Sequence, residues 1–210
     1  WGSLNTDLKP QESRNYELGI RHQNSDQLEC DLTFFRMNIN NELYYNPIGG
    51  PFSFGANENY EKTRHQGCEA GMKAKINQQT TLSVNYSYTK STFIEGVYND
   101  KDVPMVPRHK ARLGLKFSPL ENLSLNLWTN FVDKRYFIND QANSFSRLNG
   151  YFTLDANITY SYKNLTILAA ANNLADKRYS EYAVCNATTA AKNYYPNPGR
   201  NFRLKLEYKF

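Results

Sequence analysis

Apolar and polar residues alternate along most of the chain. In residues 201–210, Phe202, Leu204, Leu206, Tyr208 and Phe210 form one set, and Arg203, Lys205, Glu207 and Lys209 form the other. A period of two marks a strand with unlike faces. The same period predicts eight further strands. The first covers about residues 14–22, with Tyr16, Leu18 and Ile20 on one face. The second covers 28–44, and its phase slips at Phe34-Phe35, which predicts a bulge. The third (60–76) alternates through Cys68, Ala70, Met72, Ala74 and Ile76, and the fourth (81–93) through Leu82, Val84, Tyr86 and Tyr88. The fifth (108–117), sixth (123–136), seventh (151–162) and eighth (165–179) repeat the pattern, and residues 201–210 are the ninth. No helical period competes over a useful length.

The connections alternate in length. "NSDQ", "NQQT", "SPLEN" and "YKN" are short and rich in turn residues. "NPIGGPFSFGANE", "EGVYNDKDVPMVP", "NDQANSFSRLN" and "VCNATTAAKNYYPNPGR" are long. Successive hairpins would therefore place every tight turn at one end and every long loop at the other. No composition shift marks a boundary, so residues 1–210 read as one unit.

Alternation alone fits a sandwich, with its apolar face inward, or a membrane barrel, with its apolar face on lipid. The strands reach the 9–11 residues needed to cross a bilayer at a tilt. Loop lengths are asymmetric, and aromatics collect near strand ends (Tyr44-Tyr45, Trp128, Tyr136-Phe137, Tyr160, Tyr162). Turning the last strand over would bring Arg203, Lys205 and Lys209 towards lipid, at roughly 2–4 kcal/mol for each charge near the midplane. The expectation is an all-β, transmembrane, antiparallel up-and-down β-barrel, with polar residues such as Asp155 and Asn157 lining a wide, wet interior. Nine strands leave two open edges, which hydrocarbon does not tolerate. Further strands are expected from upstream residues or another chain.

Composition agrees. Mean hydropathy is −0.71, with 16 Tyr and 12 Phe, and no run reaches the length of a membrane helix. No signal peptide is read, since Trp1 opens directly into polar sequence. The net charge of +5 is mild and its cations are scattered, which gives no nucleic-acid footprint. Cys30, Cys68 and Cys185 match neither a metal motif nor a paired disulfide framework. Cys30 and Cys68 read as small apolar strand residues and Cys185 as a loop thiol, with a partner outside the chain left open for Cys185. No catalytic motif, cofactor motif or metal-ligand spacing is present. His22, His65 and His109 are dispersed; a haem-ligand role is weighed for His65 and His109 and set below a place in the girdle or lumen. Five N-x-[ST] sequons, at Asn85, Asn122, Asn157, Asn164 and Asn186, read as chance products of alternating small polar residues.

The segments "SRNYELGIR", "ENYEKTRHQGCEAGMK", "VPRHKARLGL", "LNGYFTLDANITY", "NNLADKRYSEY" and "YYPNPGRNFRLKLEYKF" resemble the C-terminal half of TonB-dependent outer-membrane receptors. The last two are the most specific. The resemblance implies a barrel of about 22 strands, of which these are the last nine. It implies the outer membrane of a diderm bacterium, with Phe210 on the periplasmic side. It implies TonB-coupled, ligand-gated uptake of a scarce nutrient such as a ferric siderophore, haem or cobalamin, through a plug domain absent from this sequence. Tyr208 and Phe210 resemble the family's signal to the outer-membrane insertion machinery, although Lys205 stands where that signal often has Gly.

Ligand contacts are expected where aromatic and cationic side chains meet on loops and the upper lumen: Tyr44, Tyr45, Arg64, Arg108, Arg135, Tyr136, Tyr194, Tyr195 and Arg200. Gly199 and Arg200 also fit a structural role at the junction of loop and strand. A passive porin and a secreted glycan-binding β-sandwich are the alternatives.

Overall fold

The computed structural model of the chain describes residues 4–24, 27–186 and 189–210. The centre of the "NSDQ" turn, Trp1, and part of the Asn186 sequon lie outside the described residues. Thirteen strands form: β1 (Glu12–Asn24), β2 (Leu28–Asn40), β3 (Leu43–Asn46), β4 (Ala56–Asn59), β5 (Lys62–Lys75), β6 (Thr80–Phe93), β7 (His109–Leu120), β8 (Leu123–Val132), β9 (Tyr151–Tyr162), β10 (Leu165–Asn172), β11 (Ser180–Cys185), β12 (Lys192–Pro196) and β13 (Asn201–Tyr208). Nine of them make one antiparallel sheet in the order β1-β2-β5-β6-β7-β8-β9-β10-β13. The pairs β3-β4 and β11-β12 are separate hairpins inside long loops.

This wall matches the nine expected strands, but several end sooner. The second strand stops at Asn40, and Leu43–Asn46 joins the first loop hairpin. The sixth stops at Val132 and the eighth at Asn172. No bulge forms at Phe34-Phe35. Pairing of β2 with β1 and β5 runs unbroken, through Phe34↔Leu18 and Phe34↔Cys68. The slip has another cause, which is that β2 changes surroundings along its length. Leu32 and Phe34 share one face, and the next residues on that face are Arg36 and Asn38. On the other face Asp31 and Thr33 give way to Phe35, Met37 and Ile39, the last 4% exposed. The one register shift in the nine-stranded sheet lies between Phe117 and Leu120, around Pro119, which has no N–H to give the ladder.

The register joins the apolar sets into one band. Phe117, Leu125, Ile158, Ala169 and Leu204 form a row across β7 to β13, and Leu18, Phe34, Cys68 and Tyr88 form one across β1 to β6. This band stays exposed: Leu18 is 75% and Leu204 68% accessible. The opposite face is polar and bonded across strands. Asn126 Nδ2 donates to Asn157 Oδ1 at 2.9 Å, and Asn130 Nδ2 donates to Asp155 Oδ2 at 3.1 Å. Trp128 lies on this polar face, flat over Gly114, where a Cβ would overlap its ring, and the Arg112 guanidinium stacks 4.5 Å away.

A single sheet with one apolar and one polar face has no second layer to bury against, so the sandwich alternative fails. No helix among the described residues is long and apolar enough to cross a membrane, which says nothing about strands. The buried apolar residues gather at the long-loop end, in two clusters. Tyr60, Phe93 and Val103 form one, flanked by Tyr44 and Val106. Phe137, Leu148, Ala183 and Cys185 form the other, flanked by Phe145.

Candidate functional site

The four long loops, residues 41–61, 94–108, 133–150 and 173–200, emerge at the same end of the wall and dock on one another. Much of the docking is done by asparagine. Asn143 Oδ1 accepts from the Asp102 N–H at 2.7 Å while its Nδ2 donates to the Asp102 carbonyl at 2.9 Å, tying the third loop to the second. Asn139 does the same to Cys185, tying the third to the fourth: the Cys185 N–H donates to Oδ1 at 2.8 Å, and Nδ2 donates to the Cys185 carbonyl. An asparagine amide carries the donor and acceptor of a backbone unit, so it completes a strand-like exchange where no strand exists.

The neck of the fourth loop is fastened by the two motifs that bracket it. Asn173, 4% exposed, donates to the carbonyls of Lys177 (3.0 Å) and Pro198 (3.3 Å). Asp176 Oδ1 accepts from the Arg200 N–H at 2.9 Å. A Cβ at Gly199 would sit 2.8 Å from that oxygen, so a larger residue would push the carboxylate away from the Arg200 N–H.

The expected contact residues take different places. Tyr45 (43% exposed), Tyr194 and Tyr195 present open ring surface on the loop hairpins β3 and β12. Tyr194 meets Phe137 edge-on at 5.9 Å, and Tyr195 meets Tyr182 at 5.1 Å. Tyr44 is partly buried, stacked on Tyr60 at 3.8 Å, with its hydroxyl donating to Glu58 Oε2 at 2.6 Å. Burial, then the bond to Glu58, holds the Tyr44 phenol far above its ordinary range. Burial likewise raises the Tyr60 phenol.

Arg108 Nη2 donates to both oxygens of Asp102, at 3.0 and 2.9 Å. Arg147 reaches the same carboxylate at 3.9 Å and lies over the Tyr136 ring at 4.7 Å. Arg108, Tyr136, Asp102 and Arg147 thus form one cationic-aromatic patch between the second and third loops. Arg135 is not free for a ligand. It is 4% exposed, donates to the carbonyls of Ser180 (3.2 Å) and Glu181 (2.6 Å), and burial lowers its pKa. Arg64 stands on the outward face of β5, in register with Asn38, to which its Nε donates at 2.9 Å. Arg200 is exposed at the fourth-loop neck, where its N–H serves Asp176.

The histidines separate by face. His109 lies outward with Tyr86, whose hydroxyl is 2.8 Å from Nδ1, and beside the Tyr88 ring at 5.2 Å. His65 lies on the polar face, its Nδ1 2.7 Å from Ser91 Oγ and its Nε2 3.1 Å from Glu42 Oε2, with Thr63 also on Glu42. Among the described residues no group of three or more His, Cys, Asp or Glu could hold a metal ion. Sequence reasoning missed Arg147, Asp102, Asn139 and Asn143. The paired prolines of "VPMVP", which stiffen the path from Asp102 to Arg108, were the available signal for that ion pair.

Long strands, an exposed apolar band, a bonded polar face and long loops gathered at one end define part of a transmembrane β-barrel. The family model "TonB dependent receptor-like, beta-barrel" matches residues 1–174, and the chain belongs to that family. It is 26% identical to the iron-regulated outer membrane virulence protein of Vibrio cholerae (El Tor N16961), over 98% of this chain and 32% of that protein. It is also 26% identical to the catecholate siderophore receptor Fiu of Escherichia coli K12, over 98% of this chain and 27% of that protein. Its fold matches the crystal structure of the ferric yersiniabactin uptake receptor FyuA from Yersinia pestis with a TM-score of 0.78, at 23% identity, over 95% of this chain and 30% of that one. The chain therefore spans about a third of the length of the proteins it matches, and the barrel it belongs to sits in the outer membrane.

Proposed function

We propose that residues 1–210 are the C-terminal part of the barrel domain of an outer-membrane receptor that takes up a ferric siderophore in a TonB-coupled, ligand-gated step. The observation that carries this reading is the joined loop face. Four loops clasp one another above the polar wall and leave rings and cations at their surface. The exposed rings of Tyr45, Tyr194 and Tyr195 suit the flat arms of a chelator, and the Arg108–Tyr136–Arg147 patch suits the net negative charge of a ferric complex. Tyr44 supports this surface from behind; Arg200 fastens it at the neck. TonB would act through a plug supplied by the rest of the protein. β13, with Tyr208 and Phe210, is the segment offered to the insertion machinery.

The test is uptake of radiolabelled iron by a strain lacking the full-length gene. Complementation is expected to restore uptake of a ferric siderophore only when TonB is present. Restored entry that ignores TonB and rises linearly with solute concentration would favour the porin reading instead.

A further inference from the structure

The outward face is not apolar to its top. One registered row carries Tyr16, Arg36, Gln66 and Lys90 across β1, β2, β5 and β6. The next row towards the loops carries Arg14, Asn38, Arg64 and Thr92. Immediately below both lies the row Leu18, Phe34, Cys68, Tyr88 and His109. Four cations therefore stand just above the last apolar row. Neighbouring strands lie ~4.8 Å apart and successive same-face rows ~6.8 Å apart, so the patch, spread over four strands, covers about 14 by 7 Å.

On β1, β2, β5 and β6 no carboxylate lies in either row; Asp102, bridged to Thr92 at the end of the upper row, is taken by Arg108 and Arg147, and among the described residues no ion pair joins Arg14, Arg36 or Lys90. The bond from Arg64 to Asn38 uses only Nε. The other carboxylates near the patch stand towards the loops. Glu12 lies there, opposite Asn40, and Glu95 is held by Lys62 at 2.8 Å. Four like charges without a counter-ion repel one another, so the cluster implies an anion supplied from outside the chain.

Depth identifies that anion. Tyr16, Tyr86, Tyr88 and His109 form an aromatic belt, and such belts sit at headgroup level. The long loops mark the outer end of the barrel. The cations are thus where the cost of charge near lipid nearly vanishes and where headgroup phosphates lie. Guanidinium groups match phosphate oxygens two at a time. The inversion within β2, with cations outward and Phe35, Met37 and Ile39 inward at the same level, puts the charge on the bilayer side of the wall. We propose that Arg14, Arg36, Arg64 and Lys90 bind the phosphate groups of an outer-leaflet lipid headgroup.

The test uses the full-length receptor in nanodiscs of phosphatidylcholine doped with bisphosphorylated lipid A. Glycolipid retained after detergent exchange is counted by native mass spectrometry. Wild-type protein should retain it, and R14Q/R36Q/R64Q/K90Q should lose at least about tenfold in retention. The inward-facing control K110Q/R112Q/K116Q should retain it like wild type, and so should the charge-preserving R14K/R36K/R64K. Heat-dependent mobility on gels checks that each barrel is folded; if the quadruple variant is not, R36Q/K90Q is read in its place. Equal retention by the outward variant, or equal loss in the inward control, overturns the proposal. So does displacement of the glycolipid by inorganic phosphate at the concentration that binds it to the patch, which would make the site one for free anions.

Discussion

The nine-stranded wall and the loop end are built on opposite rules. The wall keeps leucine and phenylalanine exposed along one face and ties its polar residues together on the other. The loop end buries Phe137 completely and leaves polar backbone and tyrosine at its surface. The wall is a ladder whose stability depends on two neighbours, lipid outside and the rest of the protein inside. The loop end carries its own small cores and behaves like a fragment of soluble protein set on a membrane protein. A residue's effect should therefore depend on which region holds it.

The largest effect is expected at the centre of the loop end. Phe137→Ala should remove about 3–5 kcal/mol from the cluster it fills. Limited proteolysis should then open the third and fourth loops while the barrel keeps its heat-resistant mobility. Loss of both together would deny that the loop end is a separate packing unit. Next comes the wall. Leu204→Arg should cost about 2–4 kcal/mol in denaturant unfolding from liposomes. Arg203→Leu, one residue along and on the polar face, should change stability by no more than about 0.5 kcal/mol. Equal costs would mean that the two faces are misassigned.

Smaller effects separate the clasps from the cores. Asn139→Ala strands the Cys185 N–H and carbonyl, at about 1–3 kcal/mol, and hydrogen exchange should quicken in β11 but not in β10. Tyr44→Phe should cost about 0.5–1.5 kcal/mol. It also bears on pH. Burial favours the neutral phenols of Tyr44 and Tyr60. Their contribution is therefore complete below the ordinary tyrosine pKa of about 10 and is lost as pH rises beyond it. In an absorbance titration, Tyr44 should ionise after the exposed tyrosines, together with Tyr60, and that late component should shrink by one tyrosine in Tyr44→Phe.

The wall was legible because alternation and register obey the same period. Phe117, Leu125, Ile158 and Leu204 could be placed on one face before their partners were known. The ends were not legible, because alternation continues past the point where a strand leaves the sheet, as at Tyr44. The slip at Phe34-Phe35 looked like a bulge because a period-two reading assumes constant surroundings, and β2 passes from hydrocarbon to headgroups. At the site, the exposed rings of Tyr45, Tyr194 and Tyr195 were foreseeable from composition. The burial of Arg135 and the outward place of Arg64 were not. Both depend on facts that local sequence does not carry: which loop docks over Arg135, and at what height Arg64 leaves the membrane.

Asn139 and Asn143 grip their neighbours by the peptide unit. The hold itself uses no side-chain atom of the gripped residue, and of the twenty amino acids only proline lacks the N–H it needs. At Asp102, whose place is outside the buried clusters, the clasp is thereby indifferent to which side chain it holds. The side chains displayed on the second loop can change while the frame that displays them stays in place.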